Sequence, residues 1–532
     1  MRHADLHGKD SAGAITLERP STIDSILVRR AARCPDAPFL HFEGACWTFQ
    51  EVDTAVNRIA IALLELGVKP GERIALWMSN CPEWVIAQFA ATRLGAILVP
   101  LNTRLRRDDL AYALSDCGAR AVFTQANSAG FSYVELLQDI LDANLCPELR
   151  HIVVAKEDGV DLTPPMMGWT ALQEIGADSA MQPCPADQPS DLAYILYTSG
   201  TTSAPKGAML SHTNLNNAYN IAEVYFEGDA VFVTFPLFAV TGCHNTVLSA
   251  VIAGASLVLQ ERFDPTEALT LIEQHKCTVF NGMIHSLKEV GAVLDVNSKQ
   301  IKTLRHANVF PRGLENQPLF AKFKFATAGT GYGMTETSGP VTHAMDPIDN
   351  FSPGVGMPWA GNVVRVVGAD GNDVEPGEVG VILVRSSQVM LGYYNKPEAT
   401  EKAISTDGWL NTGDMGFLTE EGVLSWIGRN DDVYKTSGFN VSGMEVESFL
   451  TGHPKLADVA VVGVPDDKKG TVGAAFVIPK PGEEITMSDI EVFCRGRIAS
   501  HKIPSHVISV SSFPCTTNGK VRKLQLRAEH FD

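Results

Sequence analysis

Residues 197–207 read YTSGTTSAPKG, a run of hydroxyl-bearing side chains around Gly200 that ends in Pro205, Lys206 and Gly207. Apolar segments, LAYILY before this stretch and AML after it, predict that it is a loop between two strands. Such a loop would bind an anion through backbone amides, hydroxyls and the Lys206 ammonium, with little help from a helix N-terminus. It lacks the Gly-Lys-Ser/Thr end of a Walker A loop. On this stretch alone, a phosphate-binding loop and a solvated surface loop both remain open.

The composition is that of a globular protein with an acidic balance. The 532 residues carry a formal net charge of −18, which argues against a nucleic-acid partner because an acidic surface repels phosphate backbones. The ten cysteines form no C-x-x-C pair, which predicts reduced thiols in a cytoplasmic protein and argues against a zinc site. We expect no signal peptide and no membrane span, since no apolar run approaches about 18 residues.

Helical and strand-like segments alternate along most of the chain. A second alternating block, residues 194–325, follows the first, and the pattern predicts α/β layers with parallel strands. Residues 362–387 contain short β segments around an Asp370-Gly371 turn, which predict a small β-barrel-like unit. The segments of the first block are helical at 49–67, 83–94 and 108–114, and strand-like at 73–77, 96–100 and 121–123.

The chain beyond Arg429 is short and compact. It contains the strand-like runs AVVGV and GAAFVIP and a helix near residues 488–500, where Thr486 and Asp489 have capping-box spacing. The predicted fold class is therefore α/β, with a large N-terminal domain of α/β layers that includes the β-barrel-like unit and a small α+β C-terminal domain. The predicted domains are residues 1–430 and 431–532.

Four more motifs follow residues 197–207 in order: YGMTE at 332–336, TGD at 412–414, GRNDDVYKTSGFNV at 428–441 and PCTTNGKVRK at 514–523. Each alone is weak, but together they span most of the chain. The set resembles the signatures of the AMP-forming adenylating enzymes, which include acyl-CoA synthetases, peptide-synthetase adenylation domains and firefly-type luciferases. The usual motif has Gly where this chain has Ser203, which adds modest strain if that position needs a positive φ.

The resemblance implies where ATP binds. Thr335 contacts the α-phosphate, Tyr332 packs on adenine with Gly333 beside it, and Glu336 binds Mg²⁺, a hard cation that prefers carboxylate oxygen. The β- and γ-phosphates lie in the loop formed by Thr198, Ser199, Gly200, Thr201, Thr202 and Lys206.

Asp414 would accept hydrogen bonds from both ribose hydroxyls, and Arg429 matches a second ribose contact. Each position also has an ordinary structural interpretation. Thr335 could be a helix cap, Asp414 could be a turn aspartate, and Lys520 could be a solvated surface lysine.

The resemblance also implies two active-site arrangements. In the first, Lys520 bridges carboxylate and α-phosphate oxygens and neutralises charge in the transition state of adenylation. The C-terminal domain is mobile and rotates about Asp431, which withdraws Lys520 and brings Lys435 into the thioester-forming state. The nucleotide end of coenzyme A then lies along Ser437, Gly438 and Phe439. Without the resemblance, the same KTSGF stretch is a β-turn.

Two segments depart from the family. FPLFAVTGCHN, residues 235–245, resembles the segment that shapes the acyl pocket, but Ala239 replaces a His or aromatic residue that gates the acyl site. HANVFPRGLENQ, residues 306–317, replaces a Gly-rich turn that forms part of the adenine and acyl walls. A nucleophilic pair of Cys243 and His244 is disfavoured, because adjacency in sequence does not place side chains face to face. The predicted pocket residues are Phe238, Ala239, Val240, His244, Thr330 and Gly331.

The resemblance therefore implies an AMP-forming acyl-CoA ligase that uses ATP, Mg²⁺ and CoA to convert an aliphatic or aryl carboxylic acid to its thioester. We expect a monomer or a homodimer. Two alternatives stay open: an adenylating enzyme that hands the acyl group to a separate carrier protein, and a nucleotide-binding protein without catalysis. Lys520, Glu336 and Asp414 argue against the second alternative.

Overall fold

The computed structural model describes two compact units. The first is built from residues up to 198, 205–362 and 386–402, and the second from residues 363–385 and 403–532. Within the described part, no helix combines the length and apolarity needed to cross a membrane. The described residues are 7–9, 15–17, 22–157, 159–177, 179, 191–198, 205–296, 301–310, 312, 316–352, 354–429, 432–436, 439–466, 470–495, 497–498, 500–515 and 521–531.

An eight-stranded sheet forms one layer of the first unit. Its central strands are parallel and buried, as their continuous apolar runs predict. Two antiparallel strands complete one edge, because the chain doubles back after Thr198. In spatial order the strands are Met166–Gly168, His151–Ala155, Ala119–Gln125, Arg73–Trp77, Ile97–Pro100, Leu192–Thr198, Lys206–Ser211 and Gly392–Tyr393.

A nine-stranded sheet forms a second layer of the same unit. Its strands between residues 230 and 330 are parallel, and the strands at both ends are antiparallel. In spatial order they are Met357–Pro358, Thr342–Pro347, Thr327–Thr330, His306–Phe310, Val279–Met283, Ala230–Val233, Ser256–Val258, Pro38–Phe42 and Ala45–Thr48. Short strand pairs are His7–Lys9 with Ile15–Leu17, Asn127–Ser128 with Phe131–Ser132, and Gly333–Met334 with Gly339–Pro340.

Helices connect these strands, and their ends follow the local sequence. Phe49–Glu65 begins at a capping box, in which the Thr48 hydroxyl accepts from the Glu51 amide at 3.2 Å and the Glu51 carboxylate accepts from the Thr48 amide at 2.8 Å. The other helices of this unit are Ile23–Arg33, Pro82–Leu94, Arg107–Cys117, Tyr133–Asp142, Trp169–Ala177, Asn216–Ala222, Ser249–Ala253, Pro265–Gln274, Ile284–Val296, Gln317–Lys322 and Pro397–Ala403, with a π-helical stretch at Thr241–Leu248 and 3₁₀ turns at His212–Leu215 and Thr335–Thr337.

The second unit contains two sheets. A four-stranded antiparallel sheet forms in the region of the predicted β-barrel-like unit, and the Asp370-Gly371 turn is present, with Gly371 at φ +80°. The four strands are Asn362–Val367, Gly380–Ser386, Leu410–Leu418 and Leu424–Arg429. The second sheet contains Phe439–Ser442, Val433–Thr436, Gly470–Pro479, Leu456–Asp466 and His506–Ser509, with helices Gly443–Leu450, Met487–Cys494 and Lys523–Phe531 and a 3₁₀ turn at Ser500–Lys502.

The capping box predicted in the C-terminal part is present. The Thr486 hydroxyl accepts from the Asp489 amide at 3.2 Å, and the Asp489 carboxylate accepts from the Thr486 amide at 2.9 Å. The helix ends at Cys494, before the predicted end near residue 500, because Arg495 turns to an extended backbone with ψ 126°. The predicted domain boundary at residues 430 and 431 stays a prediction, since both residues lie outside the described ranges.

A buried ion pair fixes three helices of the first unit. Arg93, in Pro82–Leu94, is 7% exposed, and its guanidinium contacts the carboxylate of Asp24 at 2.8 Å and the backbone carbonyl of Asp53 at 3.0 Å. Burial raises the pKa of the Asp24 carboxyl, and the positive charge of Arg93 opposes that rise. Arg93 therefore supplies the cation that lets Asp24 stay charged inside the unit.

Replacing Arg93 with leucine should destabilise the first unit by about 3–5 kcal/mol, because it leaves the Asp24 carboxylate buried without a cation. The loss should shrink as the pH falls through the raised pKa of Asp24, since a protonated carboxyl needs no cation. Thermal unfolding at several pH values measures both effects. The matched change Arg107→Leu, at an exposed pair with Asp139, should leave the midpoint nearly unchanged. Equal losses in the two variants would contradict a structural role for the buried pair.

Candidate active site

The strands that flank the hydroxyl-rich loop form an antiparallel pair. Thr198 lies opposite Lys206 and Tyr197 opposite Gly207, and the Thr198 hydroxyl donates to the Lys206 carbonyl at 3.3 Å. Glycine is needed at 207, because a Cβ there would lie 2.5 Å from a methyl group of Ile195. The predicted placement of the loop between two strands is therefore confirmed at its flanks. Ser199, Gly200, Thr201 and Thr202 lie outside the described residues.

Tyr393 brings two predicted site residues together. Its hydroxyl donates to Oε1 of Glu336 at 2.9 Å, and Nζ of Lys206 lies 5.1 Å from the centre of its ring. Strand pairing sets this geometry, since Tyr393 pairs with Ala208 on the strand that Lys206 begins. The Glu336 side chain is buried, with the residue 6% exposed. Lys206 and the buried carboxylate of Glu336 thus contact the same side chain, that of Tyr393.

Sequence reasoning missed Tyr393. The available signal was weak: an aromatic residue directly after Gly392, which adopts φ +139°, a conformation that favours glycine. Nothing local in the sequence indicates that this two-residue strand joins the sheet edge beside Lys206.

Thr335 begins the 3₁₀ turn Thr335–Thr337, and Met334 is its N-cap. The Thr337 hydroxyl, not that of Thr335, accepts from the Met334 amide at 2.9 Å, so the alternative in which Thr335 caps a helix is wrong. Gly333 permits a close approach of two strands, because a Cβ there would lie 2.0 Å from the Gly339 carbonyl oxygen. Tyr332 is buried, and its amide donates to the Thr342 hydroxyl at 3.1 Å.

In the second unit, Asp414 and Arg429 are cross-strand partners. Nε of Arg429 lies 3.1 Å from Oδ1 of Asp414, and another guanidinium nitrogen donates to the Thr412 carbonyl at 3.0 Å. The Asp414 amide donates to the Thr412 hydroxyl at 3.1 Å, and Asp414 is 4% exposed. The structure thus places the two predicted ribose contacts side by side and holds the carboxylate in a fixed orientation.

Several predicted residues cannot be placed. Asp431, Ser437, Gly438 and Lys520 lie outside the described ranges, and the side chains of Lys435 and Phe439 lie outside the described part. The backbone of Lys435 belongs to a strand that pairs with Phe439–Ser442, with Thr436 opposite Phe439. The predicted roles of these residues stay predictions.

A cavity in the first unit draws on both segments that depart from the family. Its empty volume is about 380 Å³, including the open mouth. None of the six predicted pocket residues lines it; their neighbours do. The lining residues are Ile221, Val224, Phe235, Thr241, Asn245, Thr246, Asn281, Asn308, Phe310, Pro340, His343 and Trp359.

Cys243 and His244 are buried beneath this cavity region and do not form a nucleophilic pair. Burial raises the pKa of the Cys243 thiol to about 12 and lowers the pKa of the His244 imidazole to about 4. The thiol therefore stays protonated at neutral pH, and the imidazole stays uncharged. This agrees with the sequence analysis, which disfavoured a Cys/His reaction centre.

The donor groups fit magnesium that arrives with a nucleotide. Over the described ranges, no three His, Cys, Asp or Glu residues are grouped so that they could hold a metal ion alone. Mg²⁺ usually takes one or two carboxylates and completes its shell with phosphate oxygens and water. Glu336, one oxygen of which accepts from Tyr393, is a carboxylate of the kind that such a site needs.

The model of the AMP-binding enzyme family matches residues 27–394, and the model of the AMP-binding enzyme C-terminal domain matches residues 445–520. The chain is 31% identical to a feruloyl-CoA synthase of Amycolatopsis sp over 514 residues, which cover 94% of this chain and 97% of that protein. It is 31% identical to a long-chain-fatty-acid–CoA ligase of Bacillus subtilis over 532 residues, which cover 96% of this chain and 94% of that protein.

Its fold matches a solved structure of o-succinylbenzoate coenzyme A synthetase (MenE) from Bacillus subtilis in complex with ATP and magnesium ion. The TM-score is 0.79 at 26% identity, over 94% of this chain and 99% of that one. Two matched family models, relatives of nearly equal length and a shared fold agree with the motifs. The chain belongs to the AMP-binding enzyme family and is an AMP-forming acid–CoA ligase that uses ATP, Mg²⁺ and CoA.

Proposed function

We propose that the enzyme activates an aliphatic or aryl carboxylic acid with ATP, forms the acyl-adenylate and pyrophosphate, and then transfers the acyl group to CoA with release of AMP. The arrangement of Lys206, Tyr393 and Glu336 carries this proposal. Lys206 of the phosphate loop and the buried carboxylate of Glu336 both contact Tyr393. A triphosphate with bound Mg²⁺ needs a cation for its oxygens and a carboxylate for the metal close together. Relatives named for feruloyl and long-chain fatty acyl groups support the two acid classes.

We assign each part of the bound ATP to residues that the sequence predicted. Lys206 and the loop hydroxyls bind the phosphates that leave as pyrophosphate, and Thr335 contacts the α-phosphate. Bound Mg²⁺, held by Glu336, neutralises phosphate charge. Tyr332 packs on adenine, with Gly333 beside it. The Asp414 carboxylate accepts from the ribose hydroxyls, and its contact with Arg429 orients it.

Residues of the C-terminal part act in both half-reactions and in the change between them. Lys520 stabilises the adenylation transition state, rotation about Asp431 then withdraws it, and Lys435 belongs to the thioester-forming arrangement. Ser437, Gly438 and Phe439 bind the nucleotide end of CoA.

The nine cysteines among the described residues are free thiols, which supports the cytoplasmic location we propose. A monomer or homodimer is the proposed assembly.

The purified enzyme should release AMP and pyrophosphate with a subset of a panel of aliphatic and aryl acids, and CoA should accelerate AMP release because it removes the bound adenylate. Pyrophosphate exchange, AMP release and thioester formation measure the two steps separately. If exchange is present but AMP release does not respond to CoA, transfer to a carrier protein replaces transfer to CoA. Absence of exchange with every acid would contradict the proposal itself.

Lys520→Ala should slow adenylation by about 10²–10³-fold, because it removes a charge from the developing negative centre. Thioester formation from supplied acyl-AMP and CoA should change little, since Lys520 acts only in the first arrangement. Single-turnover measurements of each step test this difference. Lys480→Ala, at an exposed lysine of the same unit, is the matched control. Equal slowing of both steps would contradict the two arrangements.

Tyr393→Phe should raise the Mg²⁺ concentration needed for half-maximal binding of ATP by about 10-fold or more, because loss of a group that orients a metal ligand commonly costs that much. The phenyl ring still lies beside Lys206, so binding of metal-free ATP should change little. Calorimetric titration of ATP with and without Mg²⁺ separates the two. The adjacent change Tyr394→Phe is the control. A loss of affinity that is independent of Mg²⁺ would show that the hydroxyl does not act through Glu336.

A further inference from the structure

The cavity of the first unit lies where an acid would bind. It is built at the carboxyl-terminal halves of parallel strands, which contribute Asn281, Asn308 and Phe310. Ligands of α/β folds bind at this end of the strands. The cavity also receives residues from both segments that the family resemblance connects with the acyl wall, 235–245 and 306–317.

Half of the residues that line the cavity are polar. Three asparagines, two threonines and one histidine face the cavity together with aromatic and aliphatic side chains. Hydrogen bonds fix the amides: Asn308 donates to Asn281 at 3.2 Å, and Asn281 donates to the Thr246 hydroxyl at 2.8 Å. Within the described residues no group accepts from Nδ2 of Asn245, which is 5% exposed.

One wall of the cavity is flat. The ring of His343 stacks on Trp359 with centroids 4.5 Å apart and planes 19° apart. Burial lowers the pKa of His343 to about 4, and the charge of Arg312 adds to this, so the ring is neutral at neutral pH. A neutral imidazole offers one N–H donor and one acceptor nitrogen. The wall thus combines an aromatic face with an uncharged hydrogen-bonding edge.

The described lining of the cavity contains no charged side chain. Arg312 lies near His343, but its guanidinium contacts the Asp346 carboxylate at 2.6 Å and the Ser352 carbonyl at 2.9 Å, and it is 3% exposed. Its charge is therefore already paired. An occupant with a second carboxylate would find no cation here, and a saturated chain would cover the His343 edge without forming a hydrogen bond to it.

From these observations we propose that the preferred acid carries a ring with an uncharged hydrogen-bonding substituent, such as a hydroxyl or keto group, remote from its carboxylate. The aromatic face of His343 and Trp359 packs on the ring, and the His343 edge bonds the substituent. This rests on the proposed function, because it assigns the cavity to the acid of the adenylation step.

The test compares 3-phenylpropanoate with its 3-hydroxy, 4-hydroxy and 4-carboxy ring analogues and with octanoate, by kcat/KM for pyrophosphate release. At least one hydroxy analogue should exceed the unsubstituted acid and octanoate by about tenfold, which is the usual effect of one well-placed hydrogen bond in a dry site. The carboxy analogue should be the poorest substrate. Release with several acids but highest with octanoate or the unsubstituted acid would overturn the inference and leave the proposed function standing. Absence of release with every acid would overturn both.

His343→Phe gives a second readout, because it keeps a flat ring against Trp359 and removes both nitrogens. The ratio of kcat/KM for the hydroxy analogue to kcat/KM for the unsubstituted acid should fall about tenfold. His285→Phe, the same change at an exposed helix position, should leave the ratio unaltered. An unchanged ratio in a folded His343→Phe protein would remove this wall from the recognition of the substituent. If the variant does not fold, the comparison of acids with the unaltered enzyme decides alone.

Discussion

The hydrogen bond from Tyr393 to the buried carboxylate of Glu336 is the contact on which the nucleotide side of the first unit depends. It joins three segments that are far apart in sequence: the strand that begins at Lys206, the turn at Thr335–Thr337 and the strand Gly392–Tyr393. A buried carboxylate is costly unless its oxygens are bonded. The phenol of Tyr393 supplies a hydrogen bond to one of the two oxygens of Glu336.

Local signals in the sequence predicted the elements well. The period of apolar residues placed the helix Phe49–Glu65 and the strand Arg73–Trp77, and capping chemistry placed the start of Met487–Cys494. These features depend on contacts within a few residues, which the sequence displays directly. The antiparallel return after Thr198 was also predictable, because two short apolar runs flank a loop with glycines. The motif order then led to the family, which no single element could have done.

Contacts between distant segments were not predictable in the same way. Tyr393 joins a sheet whose neighbouring strand ends near residue 211, and nothing near Tyr393 in sequence shows that partner. The lining of the acid cavity was also hard to predict from the sequence. The pocket residues in the segment 235–245 were predicted from their position in the family resemblance, which does not show that Thr241–Leu248 is π-helical. Its wider turn changes which side chains face a given direction, so Thr241, Asn245 and Thr246 line the cavity while His244 lies buried behind it.

The first unit also separates its charges. Lys206 and Glu336 supply charge on the nucleotide side, whereas the acid cavity offers only dipoles over the residues described. This separation has a consequence for how an acid is oriented. A carboxylate loses hydration on entering an uncharged cavity and meets no cation there, but it is attracted to cations near the phosphates. The ring end therefore enters the cavity, and the carboxylate stays outside it. Hydrogen bonds made far from the reacting atoms then hold the acid in one orientation, which reduces the entropy that must be lost before the carboxylate meets the α-phosphate.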